Sequence, residues 1–292
     1  MKRSLFLLLL TTITLTAQAQ LLWKITKKGY EKPSYLFGTH HLIDNSFLEK
    51  VPGLFPAFRS TNIVVGEIVL NKVDVLEEVQ RAMKMPDNQR ISQLLTPAQF
   101  HLVDSVFLAV LKVSLQQVDF VRPVLLSSMY EAALFEQSSG RSSNTPSDSF
   151  FQQIAEEQGK KVLGLETAAE QLQMLFAADS LAKQAEDLYR TVAQGDSVLD
   201  MMRQITALYE KGDLDALYRL SSTGGDMEMT EAEQQNYLVK RNRNWAKQLE
   251  EYFSAEGKQA AFFVAVGALH LPGENGLVQL LRKKGFRVKA VL

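Results

Sequence analysis

The chain has 292 residues, 46% of them hydrophobic and 22% charged, so it can bury a large core. Its 32 Lys and Arg residues nearly balance its 33 Asp and Glu residues, for a formal net charge of -1. Nucleic acid is therefore not an expected partner, because gripping a phosphate backbone needs a basic excess. The sequence has no cysteine, which excludes disulfides, thiolate metal ligands and a cysteine nucleophile.

The beginning of the chain has the pattern of a secretory signal. The positive pair Lys2-Arg3 precedes an apolar run at residues 5–10, and small residues follow in Ala17-Gln18-Ala19. We predict that residues 1–19 are a cleaved signal peptide and that the protein is exported, to the periplasm or the extracellular space. No later segment has the about 20 apolar residues of a membrane span, so none is expected after cleavage.

Strand patterns come first in the mature chain. Residues 21–26 and 34–37 favour β-structure and are separated by a turn-like stretch with Gly29 and Pro33. Residues 62–68 contain a continuous apolar run that is typical of a buried strand.

Helical periodicity replaces the strand pattern from about residue 73. Thr96-Pro97 predicts the start of a helix that reaches residue 111. Thr167 and Glu170 have capping-box spacing and predict a long helix through residue 188 or beyond. Further predictions are helices at residues 124–135, 150–158, 198–209 and 231–253, a strand at 161–165, a serine-rich loop at 137–149 and a break at Gly224-Gly225.

The end of the chain follows a strand–turn–helix–strand order. The segments are a strand at residues 260–266, a turn at Gly267, a helix at 276–284 and a strand at 286–291. Such a unit connects parallel strands. We therefore predict a mixed α/β (α+β) fold in one domain, residues 20–292, whose central sheet is built from both ends of the chain. A long helical insertion at about residues 73–253, interrupted by one strand, lies between them.

Two of the four histidines stand three residues after a glycine at the end of a predicted strand. The motifs are Gly38-Thr39-His40-His41 and Gly267-Ala268-Leu269-His270. A side chain just beyond a strand points into the crevice where α/β sheets bind ligands, and glycine allows a sharp turn there. One such histidine is more often a packing residue. Two in matching positions indicate that His41 and His270 are functional.

Glu67 follows a third predicted strand in the same manner. Two imidazoles and a carboxylate form a ligand set for a catalytic divalent ion, with positions left for water and substrate. Without a metal, Glu67 could orient a histidine that acts as a general base. The alternative, a solvated acid at a strand end, stays equally open for Glu67 on its own.

The remaining polar residues are weaker candidates. Glu166 follows the predicted middle strand, but an acid there also suits the dipole of the next helix. Arg241 shares a helix face with Trp245, which leaves room for a positioned guanidinium. His101 is predicted to be an exposed helix residue, and His40 either to support His41 or to face away from it.

Together these motifs resemble the TraB/GumN family over nearly all of the mature chain. The resemblance rests on Gly38–His41, Val65-Gly66-Glu67, Gly164-Leu165-Glu166-Thr167 with Glu170-Gln171, Arg241-Asn242 with Trp245, and Gly267–His270. That family includes the Tiki proteins, metal-dependent proteases that cleave Wnt ligands. It is distantly related to erythromycin esterases and to haem-binding ChaN proteins, and so implies an erythromycin esterase/ChaN-like fold.

The resemblance also implies roles residue by residue. The family's functional positions fall on His41, His270, Glu67, Glu166 and Arg241, and more loosely on Asp148. His40 departs from the family, where an aliphatic residue is usual, and offers an alternative ligand.

The leading hypothesis is an exported metal-dependent hydrolase, a peptidase, whose divalent ion (manganese, cobalt or zinc) is bound by His41, His270 and Glu67. Glu67 is either a third ligand or the general base. Arg241 would stabilise the oxyanion on the attacked carbonyl, and Glu166 is the remaining candidate catalytic residue. The alternatives are a metal-free esterase with His41 as general base, and a non-catalytic protein that binds a peptide or haem. The substrate, peptide or small molecule, and the oligomeric state stay open.

Overall fold

A six-stranded sheet lies at the centre of the computed structural model, which describes residues 20–70, 73–140, 146–177, 179–223 and 229–292. The strands are β1 (Leu22–Thr26), β2 (Ser34–Thr39), β3 (Ile63–Gly66), β4 (Lys161–Gly164), β5 (Phe262–Gly267) and β6 (Arg287–Ala290). Their order across the sheet is β4-β3-β5-β2-β1-β6. The mixed α/β class is confirmed, and five of these strands come from the two ends of the chain, as predicted.

Four neighbouring strands, β4, β3, β5 and β2, run parallel to one another. Strand β1 is antiparallel to both β2 and β6. Strand β6 therefore runs parallel to β5, as predicted for the last unit, although two strands lie between them. Because parallel strands end at one edge, the residues that follow β2, β3, β4 and β5 meet there.

Helices surround this sheet. In chain order they are α1 (Asn45–Leu48), α2 (Leu54–Ser60), α3 (Val73–Ala82), α4 (Pro97–Val110), α5 (Pro123–Ser139), α6 (Ser147–Glu157), α7 (Ala168–Ala177), α8 (Leu181–Ala193), α9 (Gly195–Glu210), α10 (Leu214–Thr223), α11 (Glu231–Gln234), α12 (Lys240–Ala255) and α13 (Leu277–Lys283). Within the described ranges, no helix is both long and apolar enough to cross a membrane.

The described residues form two large hydrophobic cores and a small third cluster of Phe135, Val198 and Met202. The larger one covers the sheet and includes an aromatic cluster of Phe37, Phe58, Phe151 and Phe263, all essentially unexposed. The rings of Phe151 on α6 and Phe263 on β5 are 4.8 Å apart, so α6 is fixed against the sheet. The smaller core lies between α4, α5 and α8.

The serine-rich tract is less of a loop than predicted at residues 137–149. Helix α5 continues to Ser139 and α6 already begins at Ser147. Residues 141–145 lie outside the described residues, as do the predicted signal peptide and the Gly224-Gly225 break. Serine lowers helix propensity only modestly, so packing of both helices against the cores decides their length.

The long helix predicted from Thr167 is two helices, α7 and α8. Thr167 caps α7 as predicted: its hydroxyl accepts from the N–H of Glu170 at 3.2 Å, and its own N–H donates to the Glu170 carboxylate at 2.8 Å. A second cap then starts α8, because the hydroxyl of Ser180 accepts from the N–H of Lys183 at 3.3 Å. The sequence suggested a single helix because its apolar periodicity continues across the cap at Ser180.

Candidate functional site

The two Gly-x-x-His motifs start from paired positions on adjacent strands. Thr39 at the end of β2 is the register partner of Gly267 at the end of β5. His41 and His270 therefore leave the sheet side by side at its carboxyl edge. This places the two motifs together, although the 225 residues from 42 to 266 lie between them in the sequence.

Gly38 and Gly267 allow close approach between these motifs. A Cβ on Gly38 would lie 3.1 Å from the Cα of Ala268 and 3.2 Å from the side chain of Leu271. A Cβ on Gly267 would lie 3.3 Å from the Glu67 carboxylate. Gly267 has a φ of -49°, open to any residue. The prediction that a sharp turn requires this glycine is therefore wrong. Glycine is needed here because a Cβ would crowd the Glu67 carboxylate.

Glu67, the first residue after β3, accepts hydrogen bonds at both carboxylate oxygens. Its Oε1 accepts from the N–H of Gly267 at 2.8 Å. Its Oε2 accepts from Arg241 Nη2 at 2.6 Å and from Gln171 Nε2 at 3.0 Å. The carboxylate thus connects the ends of β3 and β5 to α7 and α12.

Arg241 lies between two carboxylates. Its Nη2 donates to Glu67 and, at 2.7 Å, to Glu166 Oε1; its Nε donates to Glu166 Oε2 at 3.2 Å. Its Nη1 lies 3.3 Å from the carbonyl oxygen of Tyr237 and 3.2 Å from His270 Nε2. All five N–H groups of the guanidinium therefore have acceptors within the chain. A contact with a substrate oxyanion would require one of these bonds to break.

A π-helical turn at Gln235–Val239 precedes Arg241. Such turns insert an extra residue into a helix and are frequent at functional sites. Here the turn supplies the Tyr237 carbonyl to the guanidinium, which also lies 4.4 Å from the ring of Trp245. Trp245 in turn donates its indole N–H to Glu166 at 3.1 Å. The predicted face shared by Arg241 and Trp245 is confirmed.

His270 is buried, with 6% of its side chain exposed. Its Nδ1 is 2.6 Å from Asn242 Oδ1, and the Asn242 amide nitrogen donates to the carbonyl of Asn275 at 2.9 Å. Because Arg241 can only donate, we assign the proton to Nδ1 and the lone pair to Nε2. Nε2 lies 3.9 Å from Glu67 Oε1.

Burial sets the charge states in this cluster. It lowers the pKa of His270 to about 4, against an opposing effect of Glu67 and with a further lowering by Arg241. Burial alone would raise the pKa of Glu67, but His270, Arg241 and the Gly267 N–H hold it below its ordinary value. Burial would also lower the pKa of Arg241, which Glu166 and Glu67 raise instead. His270 is neutral near pH 7, so the cation that keeps Glu67 ionised there is Arg241.

His41 contrasts with His270, since 70% of its side chain is exposed. Its Nδ1 lies 3.6 Å from Asp148 Oδ1. Asp148 is in the first turn of α6, one turn before Phe151, so packing of α6 on the sheet positions the carboxylate. Its Oδ1 is buried and has no hydrogen-bond partner among the residues that the structure describes. Asp148, which the sequence matched only loosely to an acid of the family, therefore faces the first motif.

His40 points toward α9 rather than supporting His41. Its Nε2 is 3.1 Å from the hydroxyl of Thr206, and its ring lies 5.1 Å from that of Tyr209. The Tyr209 hydroxyl donates to the carbonyl of Gly38 at 2.7 Å, and burial raises its pKa. His101 is exposed on α4, as predicted.

Gln171 and Asn242 are the residues that sequence reasoning missed. Both occur in the motifs quoted above, directly after Glu170 and Arg241, but neither was given a role. For Gln171 the spacing carried a signal: it lies five residues after Glu166 and reaches its carboxylate at 3.1 Å. Asn242 stands between two arginines, a pattern typical of a solvated helix face, whereas it is 2% exposed.

The sequence profile of the TraB/PrgY/gumN family matches residues 21–290. The chain belongs to this family. Metalloprotease TIKI2 of Danio rerio is 24% identical over 323 aligned residues, which cover 92% of this chain and 60% of that protein. The chain thus spans about 60% of the length of that curated relative. No solved structure matches the chain, so an erythromycin esterase/ChaN-like fold stays a prediction beyond the mixed α/β class.

The side chains at this edge of the sheet are of the types that bind divalent metal ions. Glu67 with His270, and Asp148 with His41, each pair a carboxylate with an imidazole, and manganese, cobalt and zinc all take such ligands. A cation would also satisfy the unpartnered oxygen of Asp148. Within the described part of the chain, no group of three or more His, Asp or Glu residues is spaced to hold a metal. The ligand set His41, His270 and Glu67 stays a prediction.

Proposed function

We propose that this TraB-family chain is an exported, metal-dependent hydrolase that cleaves peptide bonds. One observation carries the proposal: the two Gly-x-x-His motifs meet at one sheet edge, each beside a carboxylate. The similarity to a protein named as a metalloprotease supports the class of reaction. Export rests on the signal-like pattern of residues 1–19.

The ion would be bound by His41 and Asp148, and His270 would have to move toward them to join, because no three such residues of the described ranges are spaced to hold a metal. Asp148 Oδ1 makes no hydrogen bond with the described residues, whereas the Glu67 carboxylate already accepts three. A divalent ion there supplies a Lewis acid for the scissile carbonyl and a lowered pKa for a water. Asn242 fixes the tautomer of His270 through Nδ1, the usual arrangement for a metal-binding imidazole. Binding of the ion at Nε2 would displace the Arg241 N–H that lies 3.2 Å from it.

Glu67 is then the proposed general base. Its Oε1 accepts a single hydrogen bond, from Gly267, and so retains a lone pair directed to the side of His270. Arg241 and Gln171 fix Oε2 and prevent the carboxylate from rotating. Arg241 acts here as a positioning residue, because Glu67 and Glu166 take its donors.

A second candidate is the metal-free esterase, which the His41–Asp148 pair favours. An aspartate beside a histidine can orient the imidazole and stabilise its protonated form, as in hydrolases with a histidine base. His41 is exposed enough to reach a substrate. This enzyme would keep its activity in a chelator.

The deciding experiment is elemental mass spectrometry on mature protein without affinity histidines. Wild type is compared with His41→Ala, His270→Ala and His101→Ala, the last a matched exposed histidine on α4. We expect close to one divalent ion per chain in the wild type and in His101→Ala, and loss in the other two.

Cleavage of fluorescein-labelled casein, with and without EDTA, follows on the same samples. Activity that EDTA abolishes would agree with the metal content. Absence of metal after incubation with manganese, cobalt and zinc, with EDTA-resistant ester hydrolysis, would replace the proposal with the metal-free esterase.

A further inference from the structure

A cavity of about 1010 Å³ adjoins the charged cluster, between α7, the end of β4 and α12. Glu166, Arg241 and Trp245 line the part that meets the cluster. None of the predicted functions assigns a role to this space. The inference drawn from it rests on the proposed hydrolase and concerns which substrate that enzyme takes.

A row of polar side chains on α12 and the preceding turn lines one wall. It comprises Asn236, Lys240, Asn244 and Gln248, at intervals of four residues. Residues four apart lie on one face of a helix and are separated by about 6 Å along its axis. Two residues of an extended peptide advance by about 6.7 Å. Asn244 and Gln248 therefore match every second residue of an extended chain.

Asn244 has the most available hydrogen-bonding groups in the row. It is exposed, and its amide makes no hydrogen bond with the described part of the chain. Gln248 is half-buried and forms a side-chain hydrogen bond with Tyr252. Asn236, by contrast, already accepts from Lys240 Nζ at 2.8 Å.

The charges around the cavity argue against a charged substrate. Glu78 and Glu170 line it together with Lys240 and Lys247 of α12, so that these acidic and basic side chains balance. Such a lining favours neither an acidic nor a basic substrate side chain.

The exposed edge of the sheet is not expected to bind a peptide in place of the amide side chains. Strand β4 is the edge strand, but the carbonyl of Gly164 at its end already accepts from the Tyr252 hydroxyl at 2.6 Å. A peptide cannot form a strand hydrogen bond at that carbonyl without displacing Tyr252. The amide side chains of Asn244 and Gln248 therefore offer the cavity hydrogen-bonding groups that this carbonyl does not.

We propose that the cavity binds an unfolded polypeptide segment in extended conformation, through hydrogen bonds from Asn244 and Gln248 to its main chain. A carboxamide has both donors and an acceptor, so it can pair with the N–H and the C=O of any residue. Recognition of this kind depends on an accessible backbone and not on particular side chains. The substrates are unstructured polypeptides with little sequence preference.

The test uses a fluorescein-labelled peptide of about ten Ala and Ser residues, and the same peptide N-methylated at alternate residues. Binding to the metal-loaded wild type is followed by fluorescence polarisation, with mass spectrometry to check that the probe is intact. We expect N-methylation to weaken binding about tenfold or more, since it removes backbone donors. The double variant Asn244→Ala/Gln248→Ala should weaken binding of the parent peptide to a similar extent.

Gln204→Ala is the matched control, an exposed glutamine on α9 outside the cavity; it should bind the probe as the wild type does. Equal affinity for the two peptides, an unaffected double variant, or no binding to the wild type would each overturn the inference.

Failure of the proposed function gives a different result. A peptide that binds as expected but is never cut would count against the hydrolase alone. Casein cut by the double variant at the wild-type KM would count against the peptide site alone.

Discussion

The two Gly-x-x-His motifs have the same spacing and adjacent strands but opposite surroundings. His270 is buried and fixed at both ring nitrogens, by Asn242 and Arg241. His41 is mostly exposed and has a single charged neighbour at 3.6 Å. The strand ends determine the position of each histidine at the sheet edge. The helices packed over the strand ends determine how rigidly each imidazole is held. The second motif is thus preorganised by the fold, whereas the side chain of the first is left mostly in solvent.

The largest expected effect concerns Arg241. Arg241→Met leaves Glu67 and Glu166 without their cation, so we expect a loss of about 3–5 kcal/mol in the free energy of unfolding, measured in urea. Arg243→Met, an exposed arginine on the same helix, is the control and should change stability by less than about 0.5 kcal/mol. Equal effects for the two variants would show that the cluster does not depend on this charge.

The second prediction compares the two histidines directly. His270→Ala removes a buried ring next to Trp245 and leaves Asn242 Oδ1 unpaired, at a cost of about 1–3 kcal/mol. His41→Ala should change stability by less than about 0.5 kcal/mol, because its ring is mostly in solvent. Both should lose casein cleavage. Urea unfolding and initial rates give the two readouts, and equal destabilisation would remove the contrast between the motifs.

Tyr209→Phe should affect the first motif indirectly. It leaves the Gly38 carbonyl without its donor from α9, which we expect to destabilise the protein by about 1–2 kcal/mol. Tyr189→Phe on α8, a partly buried tyrosine of the smaller core, is the control for loss of a hydroxyl. Calorimetric melting of both variants is the measurement. A Tyr209→Phe protein as stable as this control would contradict the assigned role.

Asp148→Asn is expected to have the smallest effect on folding. Its Oδ1 has no hydrogen-bond partner to lose, so stability should change by less than about 0.5 kcal/mol. Affinity for the divalent ion should fall, since a carboxylate ligand becomes an amide. Titration with manganese followed by calorimetry measures this. Unchanged affinity would exclude Asp148 from the ligand set.

Much of the fold was predictable because its signals are local. The apolar run at residues 63–65 and the Thr96 and Thr167 caps each act within a few residues, and the structure has all three. Helix lengths around residues 139 and 180 were not predictable in the same way, because packing against the cores and a serine cap decide them.

The position of the site could be predicted from the sequence, but its hydrogen-bond network could not. Glycine spacing and strand ends indicated His41, His270 and Glu67 as neighbours of one edge. Residue spacing does not reveal that all N–H groups of Arg241 have acceptors within the chain. Nor does it reveal that Asn242 fixes a histidine 28 residues away. Such contacts depend on how α12 lies across the strand ends.

The position of β5 in the sheet has a consequence for folding kinetics. This strand lies between β3 and β2, yet it follows both by roughly 200 residues of chain. A nascent chain that ends before residue 262 can pair β1 with β2 and β3 with β4, but it cannot join the two pairs. The sheet therefore closes only after nearly the whole polypeptide is available. Pairing over such long loops is slow, and the edges of β2 and β3 that face β5 stay unpaired until then.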